Sequence, residues 1–186
     1  MYPSFPSLKD LGLNELWVGY GAGKACKDIA IHEVCSQIDD EVCMALPFFH
    51  AFTGCDLTSS MCGIGKKTAW GAWKCYPEVT ETMMELINDP EILTENGIHM
   101  ERIEKFTVMM YSKSCSKNTV NEARVSMFQH NLKSLDRIPP TRAALYQHVK
   151  RTLLVAAYIW HLAFRPLQQD AQGAKSVDMI DVGIIM

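Results

Sequence analysis

The segment that decides the fold is GCDLTSSMCGIGKKTAW, residues 54–70. It separates two stretches of helical periodicity, and it predicts a turn around Gly63 and Gly65 followed by a helix that begins at Lys66 and Lys67. Glycine lets the backbone approach a ligand closely, and the first N–H groups of a helix carry partial positive charge that suits a phosphate. Lysines in a first helical turn oppose the helix dipole, so their presence there indicates function.

Apolar residues on either side of this segment recur at three- and four-residue steps, which predicts a mainly α-helical bundle. At most one short strand is expected, at residues 16–18. Helical patterns start at residue 28 and near the Tyr76-Pro77 and Thr119 positions. The better bounded helices are predicted at residues 41–52, 66–74, 100–111 and 142–164. Trp70, Trp73 and His50 lie on apolar helical patterns and are interpreted as packed residues rather than as base-stacking or metal-binding groups.

Composition limits the classes of protein that fit. A chain of 186 residues with 48% hydrophobic content is long enough for one domain with a core. The net charge of -3 argues against a basic coat, so any contact with nucleic acid must be local. Seven cysteines without a C-x-x-C pair indicate reduced thiols. No signal peptide or membrane span is expected, so the predicted location is nuclear or cytoplasmic.

Residues 54–69 resemble the helix-three-turn-helix segment of the flap endonuclease family, the PIN-like 5'-nucleases. The likeness has no gap over these residues and continues more loosely over residues 28–86. The same block is similar to one found in multi-copy, uncharacterised proteins of invertebrate animals. The resemblance implies that residues 28–88 are the C-terminal part of an α/β PIN-like domain, of which one short strand is a remnant.

The resemblance also implies roles for individual residues. Asp56 stands where the family keeps a carboxylate that binds a divalent cation, which implies Mg²⁺ as a cofactor. The carbonyls of one loop would hold a monovalent cation, K⁺, against the DNA backbone, and that loop comprises Ser60, Met61, Gly63 and Ile64. The residues implied to meet phosphates of duplex DNA are Gly63, Ile64, Gly65, Lys66 and Lys67.

Two-metal cleavage of a phosphodiester needs several carboxylates around cations that lie about 3.5–4 Å apart. The acidic run at residues 39–41 begins the helix that ends near Asp56, so it lies roughly 20 Å away from it. No other upstream acidic residue follows an apolar strand. The chain alone is therefore expected to lack nuclease activity, and a capping aspartate is the alternative role of Asp56.

Three functions remain open at the level of the sequence. The first is sequence-independent binding to the backbone of duplex DNA, through the turn at residues 63–67. The second is a helical protein-interaction module, in which a flexible tail at residues 166–186 binds a protein partner. The third is a metal-dependent, structure-specific nuclease completed by segments upstream. Residues 1–27 are interpreted as an irregular lead-in, and residues 89–165 as a helical extension that the resemblance does not cover.

Overall fold

The computed structural model describes residues 12–21, 26–113, 115–129 and 137–160. Over these residues the chain is mainly helical with one short two-stranded sheet, which confirms the predicted fold class. The elements, in chain order, are β1 (Trp17–Tyr20), β2 (Lys27–Ala30), α1 (Ile31–Ser36), α2 (Asp40–Phe52), α3 (Lys66–Cys75), α4 (Val79–Asn88), a 3-10 turn (Pro90–Ile92), α5 (Ile98–Tyr111), α6 (Val120–Gln129), α7 (Arg142–Leu153) and a π-helix (Leu154–Ile159).

The N-terminal part contains a second strand that the sequence did not predict. β1 covers the expected position and pairs with β2 in antiparallel register, so that Trp17 lies opposite Ala30. Helical structure was expected from residue 28, but it starts at Ile31, whose N–H donates to the Leu16 carbonyl at 2.8 Å. The difference arises because a short apolar pattern fits either periodicity, and pairing with β1 decides between them.

α2 is the central helix of the main core. Its first turn is capped by Asp39, whose side chain accepts a hydrogen bond from the Glu41 N–H at 2.9 Å. The helix continues through Pro47, and its buried face packs against α4 and α7. The rings of Phe48 and Phe52 stack at 5.6 Å, and both are fully buried. The predicted helix at residues 41–52 is therefore confirmed.

α3 follows the decisive segment at the predicted position. Trp73 is buried, and its indole N–H donates to the Thr80 hydroxyl at 2.8 Å. Trp70 is half-buried, with its ring 5.7 Å from that of Phe49 in an edge-to-face arrangement. These contacts confirm that both tryptophans serve the core, since buried aromatic rings with a satisfied polar group are packing residues.

The helices after residue 88 complete the same core rather than forming a separate one. Buried residues from α5, α6 and α7 belong to one apolar cluster with those of α2, α3 and α4. α6 begins with the predicted cap, in which the Thr119 hydroxyl accepts from the Glu122 N–H at 3.3 Å. The last predicted helix is observed as α7 and its π-helical continuation. Its remaining predicted residues and the tail at 166–186 lie outside the described residues.

A buried charged pair joins α5, α6 and α7. Glu104 is 1% exposed, and its Oε1 accepts from the Val120 N–H, at the start of α6, at 3.2 Å. Its Oε2 lies 3.5 Å from the Arg142 Nε atom, at the start of α7. Burial raises the pKa of the Glu104 carboxyl, although Val120 and Arg142 both act in the opposite direction. Within the described part of the chain, no helix is long and apolar enough to cross a membrane.

Candidate nucleic-acid interface

The loop that leads from α2 to the turn is tightly folded. Gly54 has a φ of 102°, and a Cβ atom added there would lie 2.7 Å from the Ser60 backbone. Cys55 and Thr58 exchange backbone hydrogen bonds at 3.1 and 3.2 Å, and the Thr58 hydroxyl donates to the Ala51 carbonyl. The loop is therefore held against the C-terminal end of α2, and only glycine fits at its first position.

The turn itself exposes the first N–H groups of α3. The Ile64 N–H donates to the Met61 carbonyl at 3.0 Å, and Gly63 adopts a φ of 73°. Gly65 is the N-cap, without a side chain to satisfy the helix, and no atom lies within 4 Å of the position of a Cβ there. The N–H groups of Lys66 and Lys67 donate to no described residue, and both residues are exposed. These groups are available to an anion.

Lys66 has a different environment from the one expected of a phosphate ligand. Its Nζ atom donates to the His50 carbonyl at 3.0 Å, the Thr53 hydroxyl at 3.0 Å and the Gly54 carbonyl at 2.8 Å. An ammonium group has three N–H donors, so all three are used within the chain. Burial lowers the pKa of the Lys66 ammonium. The side chain therefore neutralises the negative end of the α2 dipole, while its backbone stays at the turn.

Lys67 and Arg137 are two cations near the turn. Both are exposed, and neither side chain forms a hydrogen bond or ion pair with any residue that the structure describes. Arg137 lies beside the turn, because a Cβ atom built on Gly63 would be 3.8 Å from its Cγ atom. The sequence did not point to Arg137 as a site residue, because it belongs to the extension and no local pattern links it to the turn.

Asp56 is exposed, at the surface of the loop. Among the described residues, no group of three or more His, Cys, Asp or Glu side chains could hold a metal ion. Burial and the charge of Lys66 lower the pKa of His50. The negative charge of Asp56 acts in the opposite direction but is the weaker effect. The His50 ring packs against Trp160, with ring centres 5.5 Å apart, but His50 is exposed, so it lies at the surface and not in the core as its apolar pattern predicted. Mg²⁺ at Asp56 therefore stays a prediction.

The implied K⁺ loop has a compact geometry. Ser60 is exposed and Ile64 is half-buried, while Met61 is 8% exposed. The Met61 carbonyl already accepts the Ile64 N–H, which leaves its second lone pair for a cation. The carbonyl role of these residues also stays a prediction.

Comparisons with models of known protein families, with curated proteins and with solved structures found no match to this chain. Its class is therefore defined by its own fold, a mainly helical chain in which a glycine-bounded turn presents the start of α3.

Proposed function

We propose that this chain binds the sugar-phosphate backbone of duplex DNA through the turn at residues 63–67, without reading base sequence. The observation that carries the proposal is the pair of free N–H groups at Lys66 and Lys67, at an exposed helix start. Lys67 and Arg137 add two positive charges around that start. N–H donors and cations together form a site for phosphate oxygens.

The same geometry favours duplex DNA as the ligand over a smaller anion. Lys67 lies in the first turn of α3 and Arg137 flanks the turn at Gly63, so two charges from distant parts of the sequence stand beside the free N–H groups, and we expect them to meet phosphates of one strand. No aromatic side chain is free on α3 to read a base, because Trp70 and Trp73 pack in the core. Contacts to phosphates fix position but carry no sequence information. Binding should therefore be independent of sequence.

The test is fluorescence anisotropy with a labelled duplex across a salt series. Two neutralised phosphates predict a slope of about -2 for log K against log salt, and a Kd of about 1–100 µM near physiological salt. Lys67→Gln and Arg137→Gln should each make the slope less steep by about 0.9 and weaken binding. Two duplexes of unrelated sequence should bind equally.

Two further variants separate charge from fold. Lys105→Gln removes an exposed charge that lies over the Tyr76 ring, past the end of α3 and about 15 Å from its start, and should bind like the parent. Lys66→Gln should lower the free energy of unfolding by about 1–2 kcal/mol, because the α2 C-terminus loses its cation. Equal binding by the parent and the Lys67→Gln, Arg137→Gln double variant would leave a helical protein-interaction module as the better account.

Metal dependence tests the remaining alternative. A nuclease completed elsewhere requires Asp56 to bind Mg²⁺. The proposed backbone contact does not use Asp56, so DNA binding by this chain should not change when Asp56→Asn is introduced. A K⁺ ion at the carbonyls of residues 60–64 would instead make binding stronger in potassium than in lithium at equal ionic strength. The anisotropy series can be repeated with both salts.

A further inference from the structure

A second surface, remote in sequence from the turn, is an open groove with apolar, aromatic and charged lining residues. A groove of about 490 Å³ lies between the Pro90–Ile92 turn and the end of α7, and this volume falls within the range of ligand pockets. Its apolar floor is formed by Leu93 and Leu153, both nearly buried. Tyr146 and Tyr158 add aromatic faces to the same groove.

The rim of the groove is positively charged. Lys150 and Arg151 line it in successive positions at the end of α7, and both are exposed. The Lys150 Nζ atom lies 5.8 Å from the centre of the Tyr146 ring, so one cation stands directly above an aromatic wall. Glu91 is the one acid among the described lining residues, and its Oε1 is 3.5 Å from the Tyr158 hydroxyl. The described lining therefore has an excess of one positive charge.

The backbone around the groove is unusual. Helix α7 changes to a π-helix at Leu154, whose N–H points to the carbonyls of both Lys150 and Arg151. π-helical turns are rare and occur frequently at functional sites. Here the turn packs Val155 and Ala156 against α2, while Leu154 remains 55% exposed at the groove. Leu154 and Tyr158 are 55% and 45% exposed and both line the groove, so the groove presents an apolar patch of more than one residue for a ligand to cover.

We propose that this groove binds a small organic anion with an aromatic body. The ring lies on Leu154 between Tyr146 and Tyr158, and the anionic group pairs with Lys150 and Arg151. Aromatic faces favour a planar body over an aliphatic chain, because stacked rings gain energy beyond their buried area. The excess positive charge selects a carboxylate, sulfonate or phosphate over a neutral or cationic head.

The experiment titrates the full chain with 1-naphthalenesulfonate and follows backbone amide signals by NMR. We expect saturable shifts confined to residues 90–93 and 146–158, with a Kd of about 1 mM or below, as suits a fragment-sized ligand. The neutral analogue 1-naphthalenemethanol and the aliphatic hexanesulfonate should each bind at least about tenfold more weakly, because one lacks the charge and the other the ring.

Variants decide whether the rim recognises the anion. Lys150→Gln with Arg151→Gln should weaken 1-naphthalenesulfonate at least about tenfold and leave 1-naphthalenemethanol unchanged. The matched control is Lys105→Gln, which removes the cation above the Tyr76 ring and should bind like the parent. Far-UV circular dichroism confirms that each variant is folded. Shifts outside the groove, equal binding of the neutral analogue, or no effect of the double variant would overturn the proposal.

Discussion

Among single residues, the neighbouring Lys66 and Lys67 have different contacts and therefore different roles. The Lys66 ammonium turns back to three oxygens at the end of α2, whereas the side chain of Lys67 contacts no described polar group. The sequence pattern predicted the same role for both lysines, because both lie in the first turn of α3. Only the position of the α2 C-terminus distinguishes them, and that is a tertiary relation.

Two glycines of the same segment provide a matched test at this scale. Gly54→Ala should destabilise the chain by more than about 1–3 kcal/mol, since its positive φ alone costs that much for alanine and its Cβ would meet the Ser60 backbone at 2.7 Å. Gly65→Ala should change stability by less than about 1 kcal/mol, because the site is open and its φ is -88°. Urea denaturation measures both, and similar losses in the two variants would contradict the described loop.

At the scale of elements, α7 is locked to the end of α2 by a buried histidine. The His148 Nε2 atom lies 2.8 Å from the Phe52 carbonyl and donates to it, and the ring packs 5.2 Å from the Phe52 ring. Burial lowers the pKa of His148; the hydrogen bond acts in the opposite direction, and Arg151 lowers the pKa further. The neutral imidazole of His148 thus joins α7 to the C-terminal end of α2.

This joint makes stability depend on pH. A lowered pKa means that the unfolded chain binds a proton more readily, so stability is present above the unfolded pKa of about 6.5 and is lost as pH falls below it. The loss is at most about 1.4 kcal/mol per pH unit from one histidine. Urea denaturation at pH 7.5 and 5.5 should show this loss of stability. His148→Gln keeps a donor for Phe52 and should reduce the change in the free energy of unfolding between the two pH values. An unchanged difference in this variant would show that His148 is not its cause.

Other features of the elements were predictable to different degrees. The α2, α3, α5 and α6 helices follow from apolar periodicity and caps, which depend on near neighbours in the sequence. β2 was missed because a strand of four residues needs its partner to be recognised. The π-helix within the predicted last helix has no local signal in the sequence, since its packing on α2 is a long-range contact.

In the whole molecule, the extension after residue 88 contributes to the candidate site as well as to the core. The resemblance covers residues 54–69 and therefore includes the turn but not Arg137, which lies beside Gly63. The groove at the end of α7 could not be predicted from the sequence either, because its lining comes from two regions separated in sequence. The turn and the helix after it were therefore predictable from near neighbours in the sequence, whereas the residues that tertiary contacts bring beside them were not.

The net charge of -3 belongs to this scale too. A chain with this charge has no general attraction to DNA, so the proposed binding would depend on the few groups at the turn. A test of the proposed binding must therefore locate the contact as well as measure its affinity, which requires a signal from each amide group.

The most direct test is an NMR titration of the labelled chain with a short DNA duplex at low salt. We expect the amide signals of Lys66 and Lys67 to move downfield first and furthest, because their N–H groups would donate to phosphate oxygens. The signals of residues 146–158 should stay unchanged. Signals that move mainly away from residues 63–67, or that do not move at all, would show that the turn does not bind DNA.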